Sequence, residues 1–259
     1  MITFLKLGQH GRLGNQLFQY ALLKGIAHKK GYNIKLPAWW KDTSLKYFNI
    51  KCEELQPQEH AEFTNIYIDE PVFHFRADAL EQPDFTNFHG YYQSEKYFKD
   101  CESDVRREFT FKKYISDSAK YEMEKYRGTK QLVSVHVRRG DYLTIHDGLF
   151  HTPCNKKYYQ RAMEMFDDAD FLFFSDDMDW VKENFVGENI KYSNSNSAIV
   201  DFAMVTLCDH HILANSSFSW WSAWLNHSPD KKVIATSNWF GPMGPQDTYD
   251  LIPDEWIVV

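Results

Sequence analysis

The sequence predicts an α/β protein with a parallel sheet covered by helices on both faces. Two observations predict it. From residue 132 onward, short apolar and β-branched runs alternate with stretches of helical period, the pattern of successive β-α-β crossovers. The opening residues form one more unit of the same kind, strand then glycine-bearing loop then helix then strand. With 259 residues, the chain can bury a core as one large domain or as two of roughly 120 residues each.

In chain order, residues 2–7 read as a first strand and residues 8–14 as a polar loop. A helix follows from Asn15, with Leu17, Phe18, Ala21, Leu22, Ile26 and Ala27 at 3.6-residue spacing and Gly31 in the C-cap place. Residues 33–36 supply the next strand. Residues 37–110 mix prolines and aromatics without a clear period, with short extended pieces at 45–48, 67–75 and 85–92. Residues 116–127 are polar and helical, and a lobe boundary is placed near Gly128-Thr129. Strands are then expected at 132–137, 171–174, 211–213 and 232–235, and helices at 155–166, 179–185, 199–206 and 217–226.

Composition narrows the function. A net charge of −7 argues against a general nucleic-acid binder, which presents a basic face. Aromatic residues make up 17%, which suits sugar or base stacking and an aromatic core equally well. Cys52, Cys101, Cys154 and Cys208 show no metal-type spacing and read as reduced thiols of a cytoplasmic protein. No apolar run reaches the ~18 residues of a membrane span, and the first residues lack a signal-peptide pattern. A lipid-linked substrate would still bring the protein to a membrane surface.

Three loops that follow strands carry the chemistry. His136-Val137-Arg138-Arg139-Gly140-Asp141 puts two guanidiniums at a strand end, where open parallel sheets bind ligands. The planar fork of arginine suits a diphosphate; surface pairing with Asp141 is the plainer alternative. Gly11-Arg12-Leu13-Gly14-Asn15-Gln16 sits at a helix start, where anions are favoured, although Asn15 equally suits a helix cap. Ala214-Asn215-Ser216-Ser217-Phe218 offers hydroxyls and N–H groups to phosphate, or ordinary capping. Asp176 and Asp177 could accept guanine N–H groups or cap the next helix. Asp177-Met178-Asp179 also raises a Mn²⁺ or Mg²⁺ site, against which the arginine pair offers a metal-free way to neutralise a diphosphate.

These blocks, with residues 11–21, 136–142 and 214–221 and with Phe173-Phe174-Ser175-Asp176-Asp177 between the last two, resemble the signature blocks of the α1,2-fucosyltransferase family of bacteria and animals, glycosyltransferase family 11. Arg12 stands where many members carry glycine. The resemblance implies a GT-B-like fold of two Rossmann-like lobes: residues 1–128 on the acceptor side and 129–259 holding GDP-fucose. It implies transfer of fucose from GDP-β-L-fucose to the 2-hydroxyl of a galactose-terminated oligosaccharide, with inversion and without a metal or other cofactor. By position, Arg138 would bind the β-phosphate. His136 and one of Asp176 or Asp177 would contact guanine. Gly14, Asn215, Ser216, Ser217 and Phe218 complete the donor contacts. Asn15 would face the reaction centre, and Arg139 and Asp141 would brace the loop.

His146 and Asp147, beside His151, are candidates for the base, with a base-free route as the alternative. Trp39, Trp40, Phe73, Phe75, Tyr91 and Tyr92 are candidate acceptor contacts. The competing readings are transfer with another linkage, a metal-dependent transferase and a non-catalytic binding protein.

Overall fold

The computed structural model describes residues 1–68 and 73–259, which fall into two units: residues 1–112 with 247–253, and residues 113–246 with 254–259. The boundary therefore lies at 112/113 and not near Gly128-Thr129. The reason is α3 (Lys113–Met123), whose polar sequence conceals a buried stripe of Ile115, Ala119 and Met123 at four-residue spacing. That stripe belongs with the second unit, where α3 packs on the helix Ala198–Val205.

The first unit is built around α1 (Leu13–Lys30). Burial runs most of the way around this helix, taking in Gln16 and Gln19 beside Leu17, Phe18 and Leu22. Gly31 ends it in the left-handed conformation, with its N–H donated to the Ala27 carbonyl. Strands β1 (Lys35–Pro37) and β2 (Glu53–Leu55) pair in parallel, as do β3 (Asn65–Ile68) and β4 (Thr86–His89). Ile2 bridges Ile34 and Thr3 bridges Asn87, so the chain start joins the two pairs. The strand expected at 2–7 stops there. The Asn87 side chain takes the Leu5 N–H at 2.9 Å, and residues 4–9 fold into turns that include Gly8 at φ +84°. Residues 44–47 form a 3₁₀ turn in place of the extended piece expected at 45–48. Of the piece expected at 67–75, residues 69–72 lie outside the described residues. A short α2 (Glu102–Glu108) completes this unit.

In the second unit, α3 is followed by β5 (Gln131–Val137), α4 (Lys156–Met163), β6 (Ala169–Ser175), α5 (Met178–Asn184), β7 (Ile190–Tyr192) and α6 (Ala198–Val205). Then come β8 (His210–Ile212), α7 (Ser217–Leu225), β9 (Val233–Ala235) and β10 (Ile257–Val258). All pairings in this sheet are parallel, in the order β10-β9-β8-β5-β6-β7. Counted from β5 this is the order of a dinucleotide-binding sheet, with its switch point between β5 and β8. Val133, Val135, Val137, Phe171, Phe173, Tyr159 and Val181 form the core on one face. Much of the aromatic excess is structural: Trp220 and Trp221 are fully buried and Trp224 nearly so. Among the described residues, no helix is long and apolar enough to cross a membrane.

Candidate active site

The register of β5 on β6 pairs Val137 with Ser175, so the next residues, Arg138 and Asp176, emerge side by side. Arg138 is held by two carboxylates, Nη2 on Asp141 and Nη1 on Asp176 at 2.6 Å. Its guanidinium lies 5.2 Å from the Tyr142 ring centroid. Arg139 donates its backbone N–H to Asp176 at 2.9 Å and its Nε–H to Asp177 at 3.0 Å, and its guanidinium sits 4.1 Å from the Trp180 ring. A Cβ on Gly140 would collide with the Asp176 carboxylate, so only glycine lets the loop pass this close. Asp177 also accepts the Trp180 N–H at 3.2 Å and so caps α5. Both carboxylates proposed for guanine are therefore engaged with the arginine loop. Asp179 is exposed in the first turn of α5.

Strand alternation sends Val135 and Val137 into the core and His136 to the opposite face. There its ring stacks on Phe218, with centroids 5.0 Å apart and planes at 23°. His136 is 8% exposed, and its Nδ1 has no partner among the described residues. Burial, reinforced by the Arg138 charge, lowers its pKa to about 3; the imidazole is neutral at pH 7. Ser216 caps α7 by accepting the Phe218 N–H at 3.3 Å, and Ser217 opens the helix. This helix N-terminus follows β8, at the switch point, where partial positive charge favours an anion.

Asn215, expected among the donor contacts, has its side chain engaged within the protein. Its side chain is fully buried, its amide donates to the Thr152 and Trp239 carbonyls at 3.0 Å each, and its Oδ1 accepts from the Cys154 thiol. It clamps the loops around Thr152, Cys154 and Trp239. The Tyr142 hydroxyl donates to the Asn215 carbonyl at 3.1 Å, joining the loop after β5 to the loop after β8. Tyr142 also stacks on His151, at 4.5 Å and 12°. The sequence shows the tyrosine but carries no sign of this tie, whose partner is 73 residues away. His146 and Asp147 are exposed on a 3₁₀ turn, both in the left-handed region at φ +48° and +52°.

In the first unit, the helix begins at Leu13, so Asn15 lies inside the first turn and is not the cap; Arg12 holds that place. Gly14 is buried beside it. A Cβ on Gly11 would overlap the Asn15 amide, and Asn15 Oδ1 accepts from Gln93 Nε2 at 2.8 Å. Of the six candidate acceptor aromatics, Trp40, Phe73 and Tyr92 are buried in the core, while Trp39 is 40% exposed.

Comparison with known proteins adds to this geometry. The family model described as Glycosyl transferase family 11 matches residues 3–257. The chain is 29% identical to an alpha-1,2-colitosyltransferase of Escherichia coli over 282 residues, covering 95% of this chain and 96% of that protein. It is 29% identical over 238 residues to galactoside alpha-(1,2)-fucosyltransferase 1 of Mus musculus, covering 83% of this chain and 61% of that one. Among solved structures, POFUT1 in complex with GDP superposes with a TM-score of 0.55 at 10% identity, over 90% of this chain and 97% of that one. That likeness establishes a GT-B-like α/β fold. With the family model covering nearly its whole length, the chain belongs to glycosyl transferase family 11.

Proposed function

We propose that the protein transfers L-fucose from GDP-β-L-fucose to the 2-hydroxyl of a terminal galactose, with inversion at the anomeric carbon. The observation that carries this reading is Arg138, fixed between Asp141 and Asp176 at the end of the strand that borders the switch point. Among the described residues one of its five N–H groups is hydrogen-bonded, to Asp141, and others remain for phosphate oxygens.

In the proposed reaction, the bond from fucose C1 to the β-phosphate oxygen breaks and leaves its electron pair on GDP. The acceptor oxygen bonds to C1 from the opposite face and releases its proton. Arg138 and the N-terminus of α7, with Ser216, Ser217 and Phe218, stabilise the charge growing on the diphosphate. His136, neutral and stacked on Phe218, offers Nδ1 to guanine. Asp176 or Asp177 can reach guanine only while sharing its oxygens with the arginines. Asn15 positions the acceptor side. His146 or Asp147 takes that proton: two consecutive non-glycine residues in the left-handed region hold strain of the kind found at functional loops.

No divalent cation enters this scheme, because arginine supplies the positive charge and Asp177 is already bound to Arg139 and the start of α5. The proposed setting is the cytoplasm, at the inner membrane face when the acceptor is lipid-linked. A second donor is favoured by the match to a colitosyltransferase over nearly the whole of both chains; colitose is fucose without its 3-hydroxyl.

The test is GDP release from GDP-fucose in EDTA, with and without lactose or N-acetyllactosamine. Acceptor-stimulated release survives chelation, and Arg138→Ala lowers it about 10²–10³-fold, as loss of one preorganised donor does elsewhere. Release that requires metal would overturn the metal-free scheme. Turnover of GDP-colitose alone would select the second donor.

A further inference from the structure

The first unit holds a cleft of about 440 Å³ beside the start of α1, within the ~300–1,000 Å³ of small-ligand sites. Trp39 forms one wall. Its indole N–H donates to the Leu7 carbonyl at 3.3 Å, which anchors the ring, and the residue stays 40% exposed although the neighbouring Trp40 is buried. Asp42, Thr43 and Ser44 form another wall. Gln16 fixes that wall to the helix, its Oε1 accepting the Ser44 N–H at 2.8 Å. Gln9 completes the polar lining. The Asp42 carboxylate is exposed and has no ion-pair or hydrogen-bond partner among the described residues.

We infer that this cleft binds the terminal galactose of the acceptor, with its C–H face on Trp39 and its hydroxyls on Asp42. The inference rests on the proposed transfer reaction and deepens it by naming where the acceptor sits. An anchored indole gives a pyranose a large, rigid, apolar platform. The axial 4-hydroxyl of galactose gathers the hydrogens of C3, C4 and C5 on one face, whereas glucose interrupts that face. An ionised carboxylate accepts from two sugar hydroxyls. Its negative charge also disfavours an anionic sugar in the same place, so the ligand is a neutral galactoside.

Saturation-transfer NMR on the full chain tests this without relying on turnover, using methyl β-D-galactoside and methyl β-D-glucoside as probes. Saturation reaches H3, H4 and H5 of the galactoside and not the glucoside. Trp39→Ala abolishes the signal and Trp39→Phe keeps it, while GDP signals persist in both and show that the variants are folded. Asp42→Asn weakens galactoside binding about tenfold, the worth of a charge-assisted hydrogen bond. A galactoside signal that survives Trp39→Ala, or none in the wild type, would overturn the site. Binding at Trp39 with no transfer from GDP-fucose would keep the site and sink the proposed reaction instead.

Discussion

Arg138 is useful because of what surrounds it. A free guanidinium on a loop would sample many orientations, whereas Asp141, Asp176 and the Tyr142 ring hold this one before any ligand arrives, the kind of preorganisation that gives electrostatic catalysis its strength. His146 and Asp147 make a contrasting case, exposed and conformationally strained. If either accepts the acceptor proton, alanine there lowers kcat by at least about a hundredfold, the low end for a lost base, with GDP affinity unchanged. Single-turnover kinetics of the two variants checks this, and unaffected rates would assign the chemistry to Arg138 without a base. That Arg138, Arg139, Asp176 and Asp177 follow strand ends was legible in the sequence; that the carboxylates pair with the arginines was not, because it depends on β5 and β6 lying side by side. The commitment of Asn215 was not, since its amide partners lie 63 and 24 residues away.

Among the elements, the long and regular ones were readable, as were the three-residue β8 and β9, whereas several other short strands were not. The periodicity of α1 and its Gly31 cap, the arginine strand and the tryptophan helix all stand in the sequence as they do in the structure. Strands β2, β3, β7 and β10 span two to four residues, too few to show alternation, and they exist because neighbouring strands pair with them. One glycine sets a packing limit that periodicity cannot show. A Cβ on Gly25 would overlap the Tyr97 carbonyl oxygen, so α1 rests directly on the backbone of the 3₁₀ turn at Glu95–Tyr97. Gly25→Ala would gain helix propensity but force this contact apart. A net destabilisation of about 1–3 kcal/mol is expected from overpacking, read as a lower urea midpoint.

The whole molecule answers to pH through buried histidines. Burial lowers His136 to about 3 and His151 to about 4, and it holds His211 well below its ordinary value. His211 is further fixed between Ser134 Oγ at 2.8 Å and Asn226 Nδ2 at 2.9 Å. In each case the unfolded chain binds a proton that the folded one refuses, so stability rises with pH. Their contribution is complete above about pH 6.5, the ordinary histidine value, and is lost as pH falls from there toward the folded values near 3–4. Urea midpoints should therefore drop between pH 7 and pH 5, and His136→Gln should flatten that slope; an unchanged slope would remove His136 from the account. The course of the chain has a consequence for anyone who wants to recombine relatives. Residues 247–253 return to the first unit, where Asp250 pairs with Lys96 and Asp247 lies 3.0 Å from His74 Nδ1, before the last strand rejoins the second. A chimera spliced once at 112/113 would carry a mismatched strap, and a clean exchange of the two units needs three junctions.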